Sequence, residues 1–311
     1  MDQRSSTDQK TTLSRSWVVR ERPSSIQSIW MSLRRRSVAL AAMVVLLLTL
    51  VVAVTASVLA PYDPEEVRLL DRLQPPGFVD KDGGVHYLGT DPLGRDMLSR
   101  MMYGSRISLL VGATTVLIGG TLGMLLGVPS GYYGGTLDDV IMRLAEIQLA
   151  FPSILLYIAV LAVLGPGLGK VIAILGITGW VTYGRVVRGE VLSIREREYV
   201  LSARAVGSSD RRIMGRHILP NIFAPFIVVA SFAVANAIIA EASLSFLGLG
   251  VPPSVPTWGA MLAQSRDYLR DAWWPVTFPG LAIMLTVLSI NVVGDWLRDY
   301  LDPRLKFGGG R

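Results

Sequence analysis

The chain has 311 residues, 51% apolar and only 17% charged, with a mean hydropathy of +0.45. Soluble domains carry about 25% charged residues, so the deficit lies in the charged class. The apolar content excludes a disordered chain, and the absence of cysteine excludes a disulfide scaffold, thiolate nucleophiles and cysteine-ligated zinc.

Two histidines, His86 and His217, leave little material for a histidine metal site. The net charge of +6 fits either nucleic acid or a membrane surface, depending on where the basic residues lie. A basic tail, residues 1–37, comes first and closes with Arg34, Arg35 and Arg36. The uncharged run Ser37–Ala60 follows. A cleaved signal peptide has an apolar stretch of about 7–15 residues, and this run is longer, so residues 38–60 read as a first transmembrane helix. Five more stretches reach or approach the roughly 20 apolar residues that cross a bilayer: Ile107–Val128, Leu144–Leu164, Val171–Tyr183, Asn221–Leu249 and Val276–Val293. The fourth of the six is short. Pro129, Pro152, Pro225 and Pro279 are expected to break spans or sit at their ends.

Between the first two spans lies an acidic segment, 61–106, rich in turn residues and expected to form an extracytoplasmic cap or docking surface without a core of its own. With the N-terminus in the cytoplasm, 21 of the 30 lysines and arginines fall on the inner side and nine outside. That asymmetry predicts an all-α membrane protein with both termini inside. The positive charge is thus a topology signal and requires no nucleic-acid partner. A core of residues 107–302 and a tail at 303–311, with its Gly308–Gly310 run, complete the division.

Within the spans, Gly119, Gly123, Gly127 and Gly131 recur every four residues, leaving one helix face without side chains. Such a face lets helices pack closely, either within this chain or against a second membrane subunit. Glu241 is the one carboxylate deep in a span, with Asn236 five residues before it. A charge at mid-bilayer costs at least ~2.5–3.5 kcal/mol, so Glu241 either lines a translocation path or caps a neighbouring element. Asn291 poses the same question in the last span, where Asp295 and Arg298 are spaced to pair.

The loop 195–221 carries the most information. Residues 196–206 have helix-forming composition, Gly207 fits a helix stop, Ser209 or Asp210 can cap a second short helix, and Pro220 is expected to end that helix. The result is helix, tight turn, helix. It reads as a solvated basic loop or as a docking knob able to pass a rigid-body push to the flanking spans. A DNA-reading helix-turn-helix needs a domain that this loop lacks.

The spacing of Ala203, Gly207, Leu219 and Pro220 resembles the cytoplasmic coupling motif of binding-protein-dependent ABC importer permeases. Leu201, Ser202 and His217 stand where that family has glutamate, alanine and isoleucine, and Glu198 is a nearby substitute for the glutamate. The stretches 88–106, 131–135, 150–152, 241–250, 257–259 and 301–304 are similar to the dipeptide/oligopeptide type, C-type subunit. The resemblance implies a type I importer core of six transmembrane helices, one of them an extra N-terminal helix, in a multi-pass protein of the cell membrane. It implies a sister permease in a heterodimer, one or two cytoplasmic ATP-binding subunits that hold ATP and Mg, and an extracytoplasmic substrate-binding protein. Substrates of such relatives include dipeptides, oligopeptides and nickel complexes. The motif carries its coupling role to Ala203, Gly207, Leu219 and Pro220 but not to the glutamate position, and Glu198 and Asp210 join them as candidate residues of the ATPase-coupling loop.

This chain itself reads as a non-enzyme without a cofactor. Its nearest approach to a phosphate-binding loop, around Gly169 and Lys170, has Leu164 in place of the first glycine and Val171 in place of the hydroxyl. A solitary ion-coupled transporter or channel is the competing reading, and it would leave the 195–221 loop without a purpose.

Overall fold

The computed structural model of the chain describes residues 36–301, so the basic tail before Arg36 and the tail after Leu301 lie outside the described residues. Helix α1, Ser37–Leu59, is apolar all round, and it turns its small residues Ala39, Ala42, Ala53 and Ala56 inward while most of its valines and leucines stay exposed. In hydrocarbon that division is stable, because small residues allow close helix contact and large ones meet lipid. The hydroxyls of Thr49 and Thr55 donate to the carbonyls four residues back, at 2.9 and 2.6 Å, which keeps both satisfied without water.

Helix α2, Met97–Tyr133, begins ten residues earlier than the apolar run predicts. Asp96 starts it, accepting a hydrogen bond from the Ser99 N–H at 2.7 Å. At 37 residues it is about 55 Å long, well beyond the ~30 Å hydrocarbon core, so its ends stand clear of the bilayer. Helix α5, Leu168–Arg195, has 28 residues and greatly exceeds the expected short fourth span. Both differences have one cause: charged residues near the helix ends, Arg100 and Arg106 in α2 and Arg185, Arg188 and Arg195 in α5, break the apolar run that hydropathy registers, while the helix continues.

The expected third span is not one helix. α3, Gly135–Leu149, and α4, Ser153–Leu164, meet at an 81° bend. Pro152 lies in that break, where it cannot donate to the helix ladder. Among the described residues there are therefore five helices long and apolar enough to cross a membrane, or six if the bent pair counts as one span. Pro129, Pro225 and Pro279 instead sit inside continuous helices.

After α6, Glu198–Ala205, the short helix α7, Asp210–Ile213, runs through a π-helical turn, Met214–Ile218, into α8, Leu219–Phe246. Pro220 therefore does not end a helix. It occupies the first turn of α8, where a missing N–H is tolerated. Helices α9, Trp258–Ser265, and α10, Trp274–Leu301, complete the chain. The pair expected between Asp295 and Arg298 is absent among the described ion pairs, and both side chains are exposed. The ion pair at that end joins Arg36 to Asp299 at 2.5 Å.

Residues 60–96 differ most from expectation. They include a two-residue antiparallel hairpin, β1 Phe78–Val79 with β2 Val85–His86. The segment has an interior made of charge. Asp80, His86, Asp91, Arg95 and Asp96 are buried, with Arg100 from α2 beside them. His86 Nδ1 lies 2.8 Å from Asp96, its ring stacks on Tyr62, and Arg95 pairs with Asp91 at 2.7 Å. Trp274 and Trp258 supply the apolar floor with Met97. Sequence composition missed this core because its pairs, such as His86 with Asp96 and Arg68 with Asp80, are brought together only by the fold, while His86 Nε2 and Arg100 Nε and Nη2 are buried there without a hydrogen-bond partner.

The ends of the helices fall on two sides. α1 leads into the cap, where the Tyr62 N–H donates to Ser99 at 3.1 Å, so Leu59 and Met97 share a side. Arg36, Asp299, Tyr132 and Asp210 mark the other side.

Candidate functional site

The side opposite the cap carries the candidate site, the segment 196–219. Helix α6 ends in a Schellman turn. The N–H of Ser208 donates to the Ala203 carbonyl at 3.0 Å, and that of Gly207 to the Arg204 carbonyl at 2.9 Å. The turn needs a left-handed residue, and Gly207 supplies it with φ +84°. Ala203 and Gly207 are therefore two parts of one stop signal. Ser209 holds the cap position of α7 without a side-chain bond, and Asp210 is engaged elsewhere.

The knob is fixed from beneath. Val200, Ile213 and Ile218 are fully buried against Val128 and Tyr132 of α2, Val187, Val191 and Ile194 of α5, and Ile222 of α8, with Ala203 and Leu219 packed at the edge. The Tyr132 hydroxyl donates to Asp210 at 2.7 Å, and the Arg204 guanidinium lies 5.4 Å from the Tyr132 ring centre. Arg195 donates to the Gly131 carbonyl at 2.8 Å. Tyr132, Arg204 and Arg195 were not predicted as site residues. The 131–135 stretch stood out in the sequence, but its meeting with the loop is a product of the α2–α5 contact.

That contact is the glycine face. A Cβ on Gly123 would sit 2.4 Å from Tyr183 Cβ, one on Gly127 2.6 Å from the Gly184 carbonyl, and one on Gly131 2.8 Å from Val191 Cβ. Gly119 faces Gly176 in the same way. The four glycines thus lie against α5 of this same chain.

Outward, the knob presents Glu198, Tyr199, Leu201, Val206 and Gly207, with Val206 87% exposed. Val206 stands at the tip of a short, braced turn, with Tyr199 and Leu201 also exposed on the knob. Behind it, Pro220 lines a 780 Å³ cavity with Glu190, Arg197, Asn221 and Arg298. An apolar groove of 620 Å³ runs between α2 and α8, from Ala113 to Met214.

The other predicted residues are not brought to this place. Asn236 is exposed on α8 and Asn291 half-buried on α10. Glu241 is buried near the cap end of α8, where it accepts hydrogen bonds from Ser245 and Thr257. Among the described residues no group of three metal-ligating side chains occurs. What the arrangement can do is mechanical: it is a braced knob attached to α5 and α8.

Residues 119–307 match the family described as "Binding-protein-dependent transport system inner membrane component", and residues 24–76 match the "N-terminal TM domain of oligopeptide transport permease C". A di/tripeptide transport system permease protein of Pseudomonas aeruginosa is 44% identical over 284 residues, 91% of this chain and 94% of that protein. A dipeptide transport system permease protein of Escherichia coli (strain K12) is 43% identical over 90% of this chain and 94% of its own length. A glutathione transport system permease protein of Pectobacterium atrosepticum is 43% identical, covering 90% and 91%.

Proposed function

The chain belongs to the family of binding-protein-dependent transport system inner membrane components, and from that premise we propose that it is the permease subunit of an ATP-driven importer of dipeptides and oligopeptides. Membership displaces the reading of a solitary ion-coupled transporter or channel. The observation that carries the coupling role is the braced knob with its exposed tip at Val206 and Gly207. In this reading a partner ATPase grips Glu198, Ala203, Gly207 and Asp210, and its closure on ATP and Mg displaces the knob. Leu219 and Pro220 pass that displacement into α8. The spans then tilt as rigid bodies, and the path opens alternately to each side.

The path forms with a sister permease in a heterodimer. Asn236, exposed on α8, is the polar candidate for its wall, with Asn291 on α10. The cap of residues 60–96 receives a substrate-binding protein on the outer face of the cell membrane, while both termini and the knob face the cytoplasm. The dipeptide assignment is supported by the relatives named for dipeptides and tripeptides. The test is uptake into vesicles holding the chain with its sister permease and ATPase subunits. Labelled dipeptide, tripeptide and glutathione are offered with the cognate binding protein. ATP-dependent accumulation of dipeptide is expected; accumulation by the chain alone would refute the proposal.

A further inference from the structure

The cap and the knob lie at opposite ends of one long element. From Asp210 to Phe246 the helical segment has 37 residues, about 55 Å at 1.5 Å per residue. Such a lever carries a displacement from end to end if both ends are fixed. The knob end is fixed by Ile213 and Ile218.

At the outer end a buried carboxyl group joins the packing and the backbone bonds that hold the helix. Glu241 is 1% exposed, and its Oε1 accepts from the Ser245 hydroxyl at 2.7 Å and from the Thr257 hydroxyl at 2.9 Å. Its Oε2 is buried without a hydrogen-bond partner. Thr257 is the N-cap of α9, and its Oγ1 accepts from the Ala260 N–H at 3.0 Å. Ser245 in turn accepts from the Val251 N–H at 3.3 Å. Within α8 Glu241 thus holds Ser245, which in turn holds Val251 of the 247–257 elbow, and across the elbow it ties α8 to Thr257 at its end. The joint is tight: a Cβ on Gly259 would lie 2.4 Å from Ala242 Cα. Beyond it, Gln264 of α9 accepts a hydrogen bond from Arg95 of the cap.

An unpaired carboxylate oxygen held away from water is costly, and a leucine would fill the same space without that cost. We propose that Glu241 is a positioning residue, the strut that locks the outer elbow and α9 onto α8, so that a load on the cap reaches the 196–219 knob as a displacement of α8. This rests on the importer reading above.

The experiment uses the full complex in vesicles and reads three quantities: basal ATP hydrolysis, hydrolysis stimulated by the binding protein with dipeptide, and uptake. Glu241→Gln keeps an acceptor for both hydroxyls and should retain stimulation and uptake. Glu241→Ala removes the strut, so stimulation and uptake should fall by roughly tenfold, within the 5–150-fold range of a coupling energy, with basal hydrolysis unchanged. Thr257→Val should give a partial loss that does not add to that of Glu241→Ala, and it serves where the alanine variant fails to assemble. Full stimulation in both Glu241→Ala and Thr257→Val overturns the proposal. So does a Glu241→Gln variant as defective as the alanine variant, which would assign the role to charge. A wild-type complex whose hydrolysis ignores the binding protein refutes the importer reading instead.

Discussion

At Gly207 the backbone enters the left-handed region and no atom stands within 4 Å of an added Cβ. Space is therefore not the constraint; conformation is. A β-branched residue held at φ +84° costs about 1–2 kcal/mol, and the Schellman bonds from Ser208 and Gly207 would open to relieve it. Gly207→Val is expected to insert normally yet lose most ATP-dependent uptake, measured in vesicles beside membrane abundance. Gly123 has the opposite problem. Its φ is ordinary, but a side chain there meets Tyr183 and Gly184, so Gly123→Leu should force α2 from α5 and cost about 1–3 kcal/mol. Gly189, with nothing within 4 Å, should accept alanine. Thermal unfolding in detergent separates the two. The four-residue spacing of the glycines was legible in the sequence, but their partner helix was not, because a stripe without side chains is equally suited to any close neighbour.

The knob and α8 are the elements on which function turns. Composition alone gave the helix, the turn and the second helix of 196–213, since each has a local stop or start signal. It gave the wrong end for α7. A proline ends a helix when the carbonyl four residues back must be bonded, and the π-helical turn at Met214–Ile218 relieves that demand. The second helix of the knob and the membrane-spanning helix are consequently one continuous helical segment, Asp210–Phe246. Val206→Asp changes only the exposed tip, so stability should stay within about 0.5 kcal/mol, while the ATPase subunits should be lost during purification of the complex. Retention of those subunits by the variant would place the contact elsewhere. The bend at Pro152 shows the converse: hydropathy summed across Leu144–Leu164 registers apolar content and is blind to a broken axis.

For the whole molecule, the two faces differ in what holds them. The knob side rests on an apolar cluster, and the cap rests on buried charge. Asp80 accepts from the Gly84 N–H at 2.7 Å and the Asp82 N–H at 3.0 Å, and pairs with Arg68 at 2.8 Å. These backbone donors, the Gly84 N–H foremost, hold its carboxyl below the usual carboxylate value of 3.8. A carboxylate depressed by folding adds stability above its unfolded value, and that stability is lost as pH falls through the folded one. The hairpin of the cap should therefore loosen below about pH 4. Hydrogen exchange of residues 78–86 followed as the pH is lowered checks this, and protection unchanged through about pH 4 would contradict it.

The amino-acid sequence determined the class, the membrane and the place of the knob along the chain, because hydropathy and helix stops are properties of neighbours along the chain. Tertiary structure alone decided which surfaces the glycines join, how Tyr132 and Asp210 brace the knob, and that Glu241 bonds to Ser245 and Thr257. The Tyr132–Asp210 contact spans 78 positions. Its partner is chosen by the packing of whole helices, and no local pattern encodes that choice.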